Sequence, residues 1–218
     1  MQKYTNYSLL KNIIIVMEIG IDFLIKKFNV EVRGILHVGA HKCEEYTLYK
    51  KITKKILWIE AMPSLVEECK RLYKGIDIIN AVVSDKDDET VDFFISNNTK
   101  CSSIMDFDYH KIIHPEIVMT DKISLKTKTL ETLYIENNIN YNTYNFLVMD
   151  IQGAELMALK GMNSILHHFD GIYIEATENP LYEGGCTLND LDNLLDEKFT
   201  RKYLMLLNGY GNAFYIKK

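Results

Sequence analysis

The stretch that decides the fold is GILHVGA at Gly34–Ala40, an apolar run interrupted only by His37 that leads into a helix-like segment. KILWIEA at Lys55–Ala61 and NFLVMDI at Asn145–Ile151 repeat this pattern. Strands that are apolar along their whole length are typical of a parallel sheet covered by helices on both faces. Because amphipathic segments alternate with these runs, the sequence predicts an α/β fold.

The other apolar runs and amphipathic segments complete the same layered domain. We predict further strands at Asp77–Ser84, Thr90–Ser96, Lys122–Lys128, Gly171–Ala176, Tyr203–Leu207 and Ala213–Ile216. Helices are predicted at Glu44–Ile52, Pro63–Lys74, Leu130–Asn138, Ala154–Phe169 and Leu188–Phe199. The last two strands flank the turn NGYGN and form an antiparallel hairpin at one edge of the sheet. Asn97–Thr120 shows no period and is predicted to be a long loop with a short helix, functional or mobile.

Length, charge and cysteine content limit the class of protein. The chain has 218 residues, of which 47% are hydrophobic, enough to bury the core of one large domain. Thirty acidic residues against twenty-five basic ones leave a net charge of −5, so we expect no nucleic-acid partner. The four cysteines show neither CxxC spacing nor the density of a disulfide scaffold. They indicate free thiols in a reducing compartment, the cytoplasm.

The amino-terminal segment is hydrophobic but does not suit a membrane span. Asn12–Ile25 contains two acids and is shorter than the roughly 20 apolar residues that a span needs. It also lacks the cationic start and the small-residue cleavage site of a secretory signal. Apolar residues recur at helical spacing from Leu10 to Phe28. We therefore predict that residues 1–30 form an amphipathic helical segment packed on a domain at 31–218, in preference to a membrane-surface anchor.

Polar residues that follow the strands are the first candidates for a ligand site, because open α/β sheets bind ligands beyond the carboxyl ends of their strands. Gly39 allows close approach to a ligand, and Glu60, 21 residues later, can accept hydrogen bonds from both hydroxyls of a ribose. This spacing suits a dinucleotide or S-adenosylmethionine. The dinucleotide motif needs G-x-G-x-x-G, whereas Gly39 begins G-A-H-K-C-E. The acids Glu44 and Glu45 would repel a pyrophosphate, so a sulfonium cofactor fits better.

Six segments, in order along the chain, resemble the FkbM family of S-adenosylmethionine-dependent methyltransferases. They are LHVGAHKCEEYTLY, WIEAMPSLVEECKRL, AVVSDKDDETVDFFIS, CSSI, VMDIQGAELMALKGM and IYIEATENPLYEG. The resemblance runs from about Arg33 to Phe199. It implies a Rossmann-like, mostly parallel sheet of seven strands with the last strand antiparallel. It also implies methyl transfer to a hydroxyl oxygen of a sugar, a glycan or another small molecule.

The resemblance also implies which residues hold the cofactor. Carried over by position, they are Gly39, Ala40, His41, Glu60, Ala61, Val83, Ser84 and Asp150. Three residues depart from the family pattern. His37, Cys43 and Gln152 stand where members of the family usually have Asp, Gly and Glu.

Removal of the acceptor's hydroxyl proton calls for a carboxylate or a histidine within hydrogen-bond reach. The catalytic candidates are, in falling order, Glu175, Asp150 and His37. Asp150 also suits the N-cap of the following helix, a role compatible with the site. The residues predicted to line the acceptor side are Ser102, Ser103 and Tyr182.

Two questions stay open at this point. Asp150, Glu175 and a loop histidine would make a set of hard ligands, but no spacing in the sequence requires a metal and none is predicted. Two other functions compete with the methyltransferase. One is a nicotinamide-dependent oxidoreductase, and the other is a cofactor-binding domain without turnover.

Overall fold

A computed structural model describes residues 20–162 and 164–218. The chain divides into two units, Met1–Glu31 and Val32–Lys218. Within the described residues, the first unit contains helix α1 (Ile21–Lys27), which carries Asp22 in its first turn. The rest of the helix predicted from Leu10 lies outside the described residues, so the packing of residues 1–30 stays a prediction. Every helix along the described ranges is too short or too polar to cross a bilayer.

The second unit is built on a seven-stranded sheet. Its strands are β1 (Ile35–Val38), β2 (Ile56–Glu60), β3 (Ile78–Asn80), β7 (Phe146–Met149), β8 (Gly171–Thr177), β9 (Phe199–Leu207) and β10 (Tyr210–Lys217). They lie in the order β3-β2-β1-β7-β8-β10-β9. All pairs from β3 to β8 are parallel, and β10 runs antiparallel to both of its neighbours. The predicted fold is confirmed.

Three shorter strands form a second sheet beside the first. They are β4 (Val82–Val83), β5 (Thr90–Ser96) and β6 (Met119–Lys128), and β6 lies between the other two. β4 pairs with β6 in parallel and β5 pairs with it antiparallel. Phe93 of β5 packs with Met62 and Val82 in a small apolar cluster of its own.

Helices connect the strands. They are α2 (Tyr46–Ile52), α3 (Pro63–Leu72), α4 (His110–Ile113), α5 (Leu130–Glu136), α6 (Glu155–Lys160) and α7 (Leu188–Leu195). Every residue of β1, β2 and β7 is buried, as expected for strands that are covered on both faces. Local signals set the helix ends. Pro63 starts α3, and Thr187 with Asp190 forms a capping box on α7.

The sequence prediction of a single third strand at Asp77–Ser84 is wrong. The chain forms β3 and then leaves the main sheet, because the Ala81 N–H still donates to Glu60 O (3.1 Å) whereas the Ser84 N–H donates to Lys128 O (3.0 Å). β4 therefore belongs to the second sheet. This turn carries the chain from one sheet to the other beside the end of β2.

Two predicted helices are shorter than expected. The helix predicted at Ala154–Phe169 stops at Lys160, where Gly161 packs so closely that a Cβ would lie 2.2 Å from Ser84 O. The helix predicted at Leu188–Phe199 stops at Leu195, since Phe199 already begins β9. The long loop at Asn97–Thr120 contains a 3-10 turn at Thr99–Cys101 and α4, and β6 begins within it.

Candidate functional site

A cleft opens at the carboxyl ends of β1, β2 and β7. Its volume is about 570 Å³, counting the part that is open to solvent. Gly39 follows β1, Glu60 ends β2 and Asp150 follows β7, so the order of the sheet places three predicted residues around one space. Gly39 has φ +88°, and a Cβ there would lie 1.7 Å from Asp150 O. Only glycine allows the loops after β1 and β7 to approach this closely.

Glu60 is the best-ordered polar group of the cleft wall. Its Oε2 accepts a hydrogen bond from the His41 backbone N–H (2.7 Å), and its Oε1 accepts one from the Met62 N–H (2.8 Å). The side chain is buried, and burial raises the pKa of the carboxyl to about 7. Glu60 is thus a fixed acceptor whose ionisation lies near neutral pH.

Apolar side chains form the wall of the cleft beside Glu60. They come from the ends of β1 and β2 and from the second sheet: Val38, Ile59, Ala61, Met62, Ala81, Val82, Val83, Phe93 and Ile104. Such a surface next to a polar acceptor suits a ligand that has a flat apolar ring at one end and hydroxyl groups beside it.

A polar cluster closes the rim of the cleft. His41 Nε2 lies 2.8 Å from Thr99 Oγ1, and His41 Nδ1 lies 3.0 Å from Glu44 Oε1. Lys100 Nζ lies 3.1 Å from the same Glu44 oxygen. The loop after β1 and the 3-10 turn that contains Thr99 are therefore joined by side-chain contacts at the entrance.

Acidic side chains gather at one end of the cleft, where Asp150 lines it and Glu155 and Glu175 lie behind it in a small separate cavity. Carboxylate oxygens of Asp150, Glu155 and Glu175 lie within 4.8 Å of one another. Glu155 accepts hydrogen bonds from the backbone N–H groups of Ile151 (2.8 Å) and Gly153 (3.1 Å). Asp150 and Glu175 both accept from the amide of Gln152. Hard oxygens of this kind can hold a divalent cation, but the described contacts of all three are hydrogen bonds within the protein.

Loss of solvation raises the pKa of all three acids. It raises the pKa of Glu155 to about 7 and the pKa of Glu175 well above its usual value, with the nearby Asp150 charge adding to both. The pKa of Asp150 is also raised by loss of solvation, but hydrogen bonds from Gln152 and Glu175 oppose that shift. The acidic end therefore keeps protons at neutral pH, and its negative charge is smaller than it would be if all three carboxyls were ionised.

The structure brings most of the predicted cofactor residues to the cleft and leaves others outside its wall. Gly39, His41, Glu60, Ala61, Val83, Ser102 and Asp150 line it. Ala40 and Ser84 are buried next to lining residues, and the Ser84 hydroxyl donates to Asp85 (3.2 Å).

The two remaining predicted acceptor residues, Ser103 and Tyr182, lie behind the cleft wall. The Ser103 hydroxyl donates to Gln152 O (2.8 Å), and Tyr182 is 1% exposed with its hydroxyl on Gln152 Oε1 (2.5 Å). Glu175 lines a small separate cavity with Gly153 and Tyr182. Gln152 lies between these residues and the cleft, since it contacts Ser103, Tyr182 and Glu175 and itself lines the cleft.

His37 lies in an aromatic group apart from the cleft. Its ring stacks on Trp58 with centroids 5.0 Å apart, and its Nδ1 lies 3.2 Å from the Tyr49 hydroxyl. Burial lowers the pKa of His37 to about 4, so the ring is neutral at physiological pH. In this position the side chain supports the sheet from the α2 side.

Sequence reasoning missed several groups at the site. Gln152 and Glu155 stand in the quoted DIQGAE motif, where their spacing from Asp150 was a usable signal. Phe93 lies in β5, where exposed and buried positions alternate at the start of the strand, so the sequence pattern could have placed its side chain on the buried face. Thr99 and Lys100 carry no pattern that points to the cleft.

Comparison with known proteins supplies the context for this geometry. Residues 37–212 match the family described as Methyltransferase FkbM domain. No curated protein is significantly similar to the chain.

Several solved structures are similar to the chain at low identity. The methyltransferase FkbM of Methylobacillus flagellatus KT superimposes with a TM-score of 0.51 at 15% identity, over 84% of this chain and 43% of that one. A TehB-like SAM-dependent methyltransferase from Corynebacterium glutamicum gives a TM-score of 0.47 at 11% identity, over 98% and 97%. TrmK of M. capricolum, solved with S-adenosylhomocysteine, gives 0.45 at 10% identity, over 85% and 62%. This chain spans less than half the length of the FkbM structure, and these likenesses concern the fold alone.

Proposed function

Because this chain belongs to the FkbM methyltransferase family, we propose that it is an S-adenosylmethionine-dependent O-methyltransferase that acts on a hydroxyl of a sugar, a glycan or another small molecule. The observation that carries the proposal is the cleft. Its wall contains Gly39 and Glu60 at the ends of adjacent strands, with Asp150 across from them. The four cysteines are free thiols, which supports a cytoplasmic location.

The residues of the cleft fit the cofactor. Each Glu60 oxygen accepts one backbone N–H and has a further lone pair for a ribose hydroxyl. The apolar wall with Phe93 suits the adenine ring, and the acidic end with Asp150 favours a cationic group. When bound, the cofactor would supply a methyl group on a sulfonium sulfur.

The protein's own contribution is alignment and proton removal. The rim contacts of His41 and Thr99 restrict the entrance, so an acceptor would be held with its hydroxyl in a fixed direction. A carboxylate within reach would take the hydroxyl proton, and the acids at the end of the cleft, Glu175 and Asp150, are the candidates. These acids also favour neutral or cationic acceptors over phosphorylated ones, since an anion would be repelled.

Binding and transfer assays test the proposal. S-adenosylhomocysteine should bind in calorimetry at micromolar concentrations, whereas NAD should not bind. Methyl groups from labelled S-adenosylmethionine should appear on a panel of saccharides or glycan fractions, and Asp150→Asn should abolish the signal. Binding of NAD in place of S-adenosylhomocysteine would refute the cofactor assignment. Cofactor binding without transfer to any hydroxyl acceptor would refute the catalytic role and leave a binding domain.

A further inference from the structure

Gln152 occupies a strained position between β7 and α6. Its φ is 58°, in the left-handed region that favours glycine, and Gly153 follows at φ 99°. Backbone strain of this kind is unfavourable for a non-glycine residue and persists only where the surroundings hold it. Here the Ser103 hydroxyl holds the Gln152 carbonyl at 2.8 Å. The strained turn directs the Gln152 side chain back across Asp150.

The Gln152 amide joins three groups. Its Nε2 donates to Asp150 Oδ1 and to Glu175 Oε2, the latter at 3.2 Å. Its Oε1 accepts a hydrogen bond from the Tyr182 hydroxyl (2.5 Å). Burial raises the pKa of Tyr182, so the phenol keeps its proton and acts as donor. The phenol thereby fixes the orientation of the amide, with both N–H bonds toward the carboxyls.

The two carboxyls that share this amide differ in their access to the cleft. Asp150 is exposed and lines the cleft, whereas Glu175 lines the small cavity behind Gln152. An acceptor that enters the cleft therefore meets Asp150 first. Two carboxylates within 4.8 Å repel each other unless one of them holds a proton.

The surrounding charges decide which carboxyl holds the proton. The titratable groups that interact with the pair are His41, Glu45, Tyr49, Lys100, Cys101, Glu155, Tyr173 and Tyr182. The cationic Lys100 stabilises a charge on Asp150, whereas Glu155 opposes a charge on Glu175. Glu175 also hydrogen-bonds to Asp150, which lowers the pKa of Asp150 and raises that of Glu175.

We propose that Gln152 is a positioning residue that holds Asp150 and Glu175 as a pair sharing one proton, with the carboxylate on Asp150 and the proton on Glu175. This assignment rests on the proposed function, and it makes Asp150, ahead of Glu175, the group that takes the acceptor's proton. The acceptor O–H bond breaks, the proton passes to the Asp150 carboxylate, and the neutral Asp150 then releases it to solvent through the cleft.

Infrared spectroscopy of the ligand-free protein tests the location of the proton without any activity. At pH 7, the difference between wild type and Glu175→Gln should contain the carbonyl band of a protonated acid, and the difference between wild type and Asp150→Asn should contain a carboxylate band. Buried acids outside the group Asp150, Glu155 and Glu175 cancel in each difference, whereas these three affect one another's ionisation and are compared as a set. The opposite assignment of the two bands would overturn the inference, as would conversion of the Glu175 band to carboxylate on addition of Mg²⁺, which would show that the acids hold a cation.

The Gln152→Met variant tests the positioning role. Without the amide donor, the pH at which the Asp150 carboxylate band appears should rise by about one unit. The acid limb of the kcat profile should move by a similar amount, and KM for the cofactor should change less than kcat. Asn138→Met is the matched control, because Asn138 is an exposed amide residue at φ 51° away from the acids. Equal pH profiles for Gln152→Met and wild type would overturn the inference. Absence of methyl transfer with the bands as expected would instead refute the proposed function.

Discussion

Replacement of Glu60 by Gln should weaken cofactor binding and remove its dependence on pH. In the wild type, the two carboxylate oxygens accept the N–H groups of His41 and Met62 at 2.7 and 2.8 Å and keep lone pairs for a ribose. A glutamine has one oxygen, so its NH₂ would face one of these N–H groups. Hydrogen bonds to a charged acceptor contribute roughly 1.5–3 kcal/mol. Their loss corresponds to roughly a ten- to 150-fold weaker affinity for S-adenosylhomocysteine.

The raised pKa of Glu60 predicts a second measurable effect, a dependence of cofactor affinity on pH. Because burial raises this pKa to about 7, only a small fraction of the wild-type protein carries the carboxylate at pH 6, and most of it does at pH 8. Ribose hydroxyls donate to the carboxylate, so wild-type affinity should rise by about tenfold over this interval. The Gln variant has nothing to ionise at this position, and its affinity should stay flat.

Isothermal titration calorimetry with S-adenosylhomocysteine at pH 6, 7 and 8 measures both effects. Glu67→Gln is the control, since Glu67 is exposed on α3 and pairs with Lys70 (3.0 Å). It should bind like the wild type at every pH. If folded Glu60→Gln protein bound with wild-type affinity at pH 8, Glu60 would not contact the cofactor and the assignment of the ribose acceptor would be refuted.

Three further outcomes follow from the same structure. Gly39→Ala should lose at least about 3 kcal/mol of unfolding free energy in urea denaturation, because its Cβ would meet Asp150 O. The control Gly75→Ala, at φ +74° in open space, should lose about 1 kcal/mol. Equal losses would contradict the close packing at Gly39. The free energy of unfolding of Glu155→Gln, minus that of the wild type, should increase from pH 5 to pH 7.5. Folded Glu155 keeps its proton up to a pKa of about 7, so the wild type loses stability as the pH rises above 4.5, whereas the Gln variant does not. A constant difference would show that Glu155 is ionised throughout. Backbone amides of residues 97–118 should exchange hydrogen faster than those of β7, because isolated β-bridges and short helical turns rather than a continuous sheet hold this segment. Equal protection would show that the segment does not open.

The central strands and the ligand edge were predictable because their signals are local. β1, β2 and β7 are buried at every position and apolar at all positions except His37 and Glu60, as burial on both faces requires. A glycine or an acid at the end of each strand then marks the edge at which ligands bind. These two rules were enough to bring Gly39, Glu60 and Asp150 together.

Other features depend on contacts between distant parts of the chain. The break between β3 and β4 arises because Ala81 and Ser84 donate to different strands. Since both segments are equally apolar in sequence, the sequence gives no sign of where one strand ends and the next begins. A strand that is buried on both faces gives no sign of which side each residue takes, so His37 was placed at the site although it stacks on Trp58. The contact of Lys100 with Glu44 joins two segments that share no periodic pattern.

The arrangement of the cleft has a consequence for synthesis of the protein. β1 lies between β2, which follows it closely in the chain, and β7, whose residues pair with it at a separation of 111 positions, as between Ile35 and Phe146. At 5–20 residues per second, a ribosome needs roughly 6–22 s to make that length of chain. During this interval the apolar edge of β1 that will pair with β7 has no partner strand. We therefore expect that a nascent chain with Gly39 and Glu60 but not yet Asp150 exposes this edge to other chains and has only part of the cleft wall.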